Sequence, residues 1–346
     1  MRSYVEYIIE ETKKILAIDS PTGFTGSAAD YVMEEYEKLG YSPVKTEKGG
    51  VLVDLGGREK ENTILLEAHI DTLGGMVAEV KKNGRLRLTP LGGMNPNNGE
   101  TENCRIITRS GAVYEGTFQM INASIHVNGD YNDTKRDYDK MEVVIDEKTS
   151  SKEETEELGI MTGDIVAFDP RTTVTQSGYI KSRFLDDKLS VGIFLGFAKY
   201  LKNENITPDR RIYQHITVYE EVGHGACGTV PAGTTEILSV DMGCVGEGLQ
   251  CTERQVSICA KDSAGPYDYT LTNELVALAE ELKLPYAVDI YPGYSSDTAA
   301  ALRAGLDARF ALCGQGVFAS HGYERTHVKG LMATLALVSA FAQKQK

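Results

Sequence analysis

Apolar residues recur at helical spacing near the start of the chain. Over residues 3–17, Val5, Ile8, Ile9, Ile15 and Leu16 fall largely on one side, which predicts an amphipathic helix. A second helix follows Gly26 and Ser27 and stops at Gly40, a residue suited to a helix C-terminus. VKTEKGGVLVDL then reads as a hairpin turning at Gly49–Gly50. NTILLEAHID is a buried strand that ends in polar residues. After residue 178 helices and strands alternate. LDDKLSVGIFLGFAKYL is helical, and RRIYQHITVYEE, TEILSVDMG and RQVSICAKD are strands. The helix YTLTNELVALAEELKL, the strand PYAVDIY, the helix SDTAAALRAG and the strand ARFALCG follow, and VKGLMATLALVSAFAQ closes as a helix. Such alternation predicts an α/β fold, a mostly parallel mixed sheet flanked by helices. In these folds ligands gather at the carboxyl ends of strands.

Residues 73–177 have a different texture. Short alternating segments (GMVAEV, GRLRLTP, AVYEGTFQM, MEVVIDE) are broken by Gly, Asn and Asp, with a long loop at 92–104 and no long amphipathic helix before SKEETEELG. The expected organisation is a larger α/β domain of residues 1–72 and 178–346, with a small β domain, 73–177, inserted into it.

Composition narrows the function classes. A net charge of -14 without a basic stripe excludes a nucleic-acid partner. No apolar run approaches the ~20 residues of a membrane span, and the first segment reads as a helix rather than a signal peptide, so a cytoplasmic location is expected. The six cysteines form no C-x-x-C pair and are expected to be reduced.

The chemistry lies where strands end. His69 and Asp71 end ILLEAHID, and residues two apart on a strand share a face. Asp186 and Asp187 precede a helix, Glu220 and Glu221 end ITVYEE, Asp241 ends ILSVD, and His321 lies in ASHGYERTH. Taken singly, each has an ordinary explanation: a structural imidazole, a helix N-cap, a solvated acid. Together, five strand-to-loop junctions deliver His, Asp or Glu to one sheet edge, where carboxylates left alone would repel one another. Two divalent cations would neutralise them, and mixed imidazole and carboxylate ligation suits Zn²⁺ or Co²⁺. Adjacent acids on an extended strand point in opposite directions, so one of each pair should ligate, and spacing does not choose which. His126 and His215 fall within predicted strands and read as structural; His224 lies close to the acids. Gly223-x-Gly225-x-x-Gly228 imitates a dinucleotide fingerprint but is not followed by a helix. Neither a G-x-S-x-G elbow nor an H-E-x-x-H helix is present.

The motifs EAHIDTLG, FLDDKLSVG, EEVGHGA and SVDMG, in this order and with a late His, resemble the M42 metallo-aminopeptidases over nearly the whole chain. The resemblance implies a zinc-exopeptidase-like catalytic domain with an inserted β-barrel or PDZ-like domain for dimerisation. It also implies homo-oligomers built from dimers up to a dodecamer, and short peptides as substrates. It assigns His69 and Asp241 to one metal, Glu221 and His321 to the other, and Asp186 to the bridge. Glu220 would be the general base, Asp71 would orient the first metal site, and the Asp186–Asp187 peptide would be cis. Two departures stand out. The last ligand lies in SHGYERTH, which makes His327 a rival to His321, and a Gly-Thr-Asp segment is replaced by Tyr294–Ser295–Ser296–Asp297. The altered segment keeps open metal-dependent hydrolysis of N-acyl or other amide groups. A third reading is a non-enzymatic assembly protein with a vestigial site. Arg254, Arg325 and Lys261 are candidates for selecting acidic side chains.

Overall fold

The computed structural model describes residues 2–344 of the 346-residue chain. It divides into two compact units, one of residues 1–71 and 171–346, the other of residues 72–170.

The larger unit is built on a mixed sheet. Glu59–His69 lies centrally, with Arg210–Thr217 and Thr234–Val240 parallel to it on either side. Arg309–Phe318 runs parallel to Thr234–Val240, and Val256–Asp262 runs antiparallel beyond it. The central strands carry long apolar runs because helices cover them. Ile64, Leu65, Leu66, Ile212, Ile237 and Leu238 are all fully buried. The helix Leu185–Asn203 packs on Glu59–His69 and against the helix Arg2–Leu16. Gly192 and Gly196, one turn apart, make this approach possible, since a Cβ at either position would collide with Thr12 or Ile8. The closing helix Val328–Gln343 starts at His327, whose Nδ1 accepts the backbone N–H of Lys329 at 3.0 Å.

The second unit is a closed six-stranded barrel, ordered Gly74–Val80, Leu86–Leu91, Met141–Ile145, Val113–Met120, Asn103–Ile107 and Ile165–Phe168. Leu86, Leu88, Ile106, Phe118, Val143 and Phe168 fill its interior. Closure leaves no free sheet edge to cap. Two expectations for this stretch are corrected. Residues 92–104 are not all loop, because Asn95 caps a short helix, Pro96–Gly99, and a strand begins at Asn103. His126 lies in an exposed turn, not a strand. No helix among the described residues is long and apolar enough to cross a membrane.

Candidate metal centre

The central strand stops at His69, and Asp241 follows directly on the neighbouring strand Thr234–Val240. Asp186 and Asp187 stand at the start of the helix Leu185–Asn203 with non-helical backbones, and the peptide between them is cis. Glu220 and Glu221 do not end a strand as the sequence suggested. The strand stops at Thr217, Tyr219 adopts a left-handed backbone (φ 68°), and both acids lie on a 3-10 turn, Glu220–Val222. His321 is also left-handed (φ 61°), in the turn before the strand Glu324–His327.

These side chains converge around Asp186. Its Oδ1 lies 3.0 Å from His69 Nε2 and its Oδ2 3.5 Å from His321 Nε2. Glu221 Oε2 is 3.6 Å from the same His321 nitrogen, and Glu220 Oε2 is 3.8 Å from His69 Nε2. The His69 tautomer is set from behind: its Nδ1 donates to the Asp71 carbonyl oxygen at 2.9 Å, which turns Nε2 toward the acids. The Asp71 carboxylate accepts the Thr22 hydroxyl at 2.7 Å and the Glu220 backbone N–H at 3.1 Å, so it fixes strand end and turn together.

Two sets of potential ligand atoms each lie within 4.8 Å of one another: His69, Asp187 and Asp241, and His69, Asp186 and Glu221. The donors fit divalent cations. They are buried, they mix imidazole and carboxylate, and Asp187 Oδ1 is buried with no hydrogen-bond partner among the described residues. The expectation that one acid of each pair would turn away fails for the aspartates, since both reach the cluster. The irregular backbone at Asp186 and Asp187 removes the strand alternation on which that expectation rested.

The electrostatics describe a site of crowded acids. Burial, with Asp241 and Asp186 as negative neighbours, pushes Asp187 well above the usual carboxylate range. Burial raises Glu220 strongly, and Asp297, Asp241 and Glu221 add to the rise. It raises Glu221 strongly too, with Asp186 adding to it. Asp241 goes up to about 7 through burial and the Asp186 charge. Asp186 is the exception: burial opposes its charge, but the two imidazoles hold it below the ordinary value. Burial alone would lower His321, yet its contact with Asp186 and the Glu221 charge carry it to about 10. The cluster thus holds protons that bound cations would displace.

His327 is not part of the cluster. Its Nε2 donates to the Ser177 carbonyl at 2.9 Å, its Nδ1 caps the last helix, and its ring packs edge-on to Tyr179. His215 is buried in its strand and pushed down to about 4 by burial. His224 is exposed. Arg254 donates to the Tyr179 hydroxyl, Arg325 pairs with Glu253, and Lys261 donates to the Asp262 carbonyl. None of these three cations lines the cavity of about 590 Å³ above the acids; Arg303 does.

The sequence reading did not name Glu324, and it named Asp297 only as part of an altered segment, with no role of its own. Buried Glu324 accepts the backbone N–H of Asp186 and of His321, each at 3.0 Å. Asp297 accepts the Ala226 N–H at 3.0 Å and the Thr217 hydroxyl, tying the far end of the Glu220 turn to the strand that precedes it. The available signal was an acid three residues after His321 and one heading the helix Asp297–Arg303.

A family model for M42 glutamyl aminopeptidase matches residues 49–337. YhfE of Bacillus subtilis, which carries an aminopeptidase name, is 42% identical over 339 residues, 98% of each chain. Among solved structures, an aminopeptidase from the archaeon Desulfurococcus kamchatkensis superposes with a TM-score of 0.88 at 23% identity, covering 99% of this chain and 96% of that one. The TET1 peptidase of Pyrococcus horikoshii gives 0.85 at 22% identity, covering 98% and 100%.

Proposed function

The chain belongs to the M42 glutamyl aminopeptidase family, and on that premise we propose that it is a co-catalytic two-metal aminopeptidase that removes N-terminal residues from short peptides. The carrying observation is the Asp186 carboxylate set between two imidazoles, one oxygen facing each, inside a ring of buried acids. In this reading two dications, Zn²⁺ or Co²⁺, would be held with Asp186 shared between them, by His69 and Asp241 on one side and by Glu221 and His321 on the other. When bound, such a pair supplies Lewis-acid polarisation of a carbonyl and a more acidic water.

The chain's own groups do the rest. Glu220 takes the proton of the attacking water and passes it to the leaving amine. Asp71 keeps Glu220 in place through its backbone N–H. The barrel would mediate dimerisation toward a dodecamer. A neighbouring fold, the P. horikoshii TET1 peptidase, is described as assembling into a tetrahedron or a large octahedral shell, which supports a homo-oligomer. Six free cysteines support a reducing, cytoplasmic setting.

The test is Glu220→Gln. We expect turnover of aminoacyl-nitroanilides to fall by ~10²–10⁴ while dication binding persists. Unchanged turnover would overturn the mechanism. Cleavage of N-acyl amino acids in place of free aminoacyl substrates would overturn the aminopeptidase assignment.

A further inference from the structure

Asp241 is held unusually firmly for a residue outside regular structure. Its backbone N–H donates to the Cys313 carbonyl at 3.1 Å. Gly314, on the strand Arg309–Phe318, has no room for a Cβ, which would strike the Asp241 carbonyl. Gly243 is closed in the same way by Ser257, with the Tyr291 hydroxyl 3.1 Å from where its Cβ would lie. The side chain is half secured, since Oδ1 accepts the Met242 N–H at 2.6 Å. The second carboxylate oxygen has no such backbone partner.

Tyr294 stands beside it. The Tyr294 ring packs on Tyr291 with centroids 5.3 Å apart and planes at 59°, and the Tyr291 hydroxyl is bonded to Ser257. The Tyr294 carbonyl accepts the Ser263 N–H at 3.0 Å and the Ser263 hydroxyl at 2.6 Å. Ring and backbone are therefore both fixed. The hydroxyl is shut away from solvent and has no hydrogen-bond partner of sound geometry among the described residues. It lies within hydrogen-bonding reach of the Asp241 carboxyl, and both residues line the same cavity. A buried hydroxyl without a partner is costly, and a rigid one beside a ligand carboxylate has an obvious acceptor once that carboxylate settles on a cation.

We propose that Tyr294 is a positioning residue whose hydroxyl orients the Asp241 carboxylate for cation binding. The proposal rests on the two-metal reading above. Metal-free protein is titrated with Co²⁺, following heat and the visible absorption of the bound ion. In Tyr294→Phe the dissociation constant of the tighter position rises by ~10–100-fold and the Co²⁺ spectrum changes. The melting temperature of the metal-free form does not fall, because phenylalanine keeps the ring packing and removes a buried hydroxyl that lacks a partner. In an Asp241→Asn background the same substitution adds less than ~2-fold, as expected of a residue that acts through Asp241. Wild-type Co²⁺ affinity in Tyr294→Phe would overturn the proposal. So would an equal loss in both backgrounds, or a fall in metal-free stability that accounts for the weaker binding. Wild-type protein that takes up no Co²⁺ would overturn the metal reading along with it, whereas Co²⁺ bound equally by wild type and variant would sink only the role of Tyr294.

Discussion

The two sides of Asp186 are built differently. On one side His69 ends its strand, paired with Thr217, and Asp241 directly follows the adjoining strand with its N–H on the Cys313 carbonyl; they are 2% and 4% exposed. On the other, Glu221 lies on a 3-10 turn and His321 on a left-handed turn with 40% of its side chain exposed. The first side is preorganised by the core of the fold; the second is shaped by loops, and Asp241, Glu221 and His321 all line the cavity, with His321 the most exposed of them. Holding a cation and admitting a substrate ask for opposite things, rigidity and access. In the proposed two-metal reading they would be divided between two positions that share one carboxylate.

That contrast can be broken at its shared point. Asp186→Ala should empty both positions in equilibrium dialysis and lower kcat by ~10³ or more, comparable to removing an essential electrostatic group; retention of one ion would mean the two sides are independent. A smaller effect sharpens the contrast. His321→Ala should weaken only the open position, by ~10–100-fold, and leave one ion bound tightly. If it releases both, the closed side is not preorganised. The smallest effect is on stability. Burial pushes Asp241 up to about 7 and Glu67 and Glu324 to about 8. Between roughly pH 4, where such acids ionise in the unfolded chain, and those values, the folded metal-free protein holds more protons than the unfolded chain. Its stability therefore falls as pH rises through that window. His321, held up to about 10, extends the loss upward in the same direction. Melting curves should show metal-free protein losing several degrees from pH 5 to 9, with the gain on adding Zn²⁺ growing over the same range. A gain that shrinks with pH would contradict the account.

Much of this was legible in the chain. The long apolar strands and their polar ends expose the sheet and the edge where His69 and Asp241 meet, because burial on both faces leaves a continuous hydrophobic run. The turns were not legible. Nothing in the side chains of Tyr219 or His321 announces a left-handed backbone, and Tyr219 is what carries Glu220 and Glu221 off the strand and onto a turn. Asp187 reaches the cluster because of a backbone irregularity that alternation rules do not anticipate. Glu324 and Tyr294 act through contacts chosen by tertiary packing between segments far apart in sequence. His126 was misplaced because a short stretch of mixed polarity in the barrel unit fits a strand or a turn equally well.

Glu324 carries a consequence for how such a chain can change over generations. One carboxylate accepts main-chain amides from positions 186 and 321, so it constrains backbone rather than ligand chemistry. A lineage could exchange one liganding side chain for another and keep the frame. Replacing Glu324 would instead loosen two distant stretches at once, and no single compensating substitution at either one could restore the other.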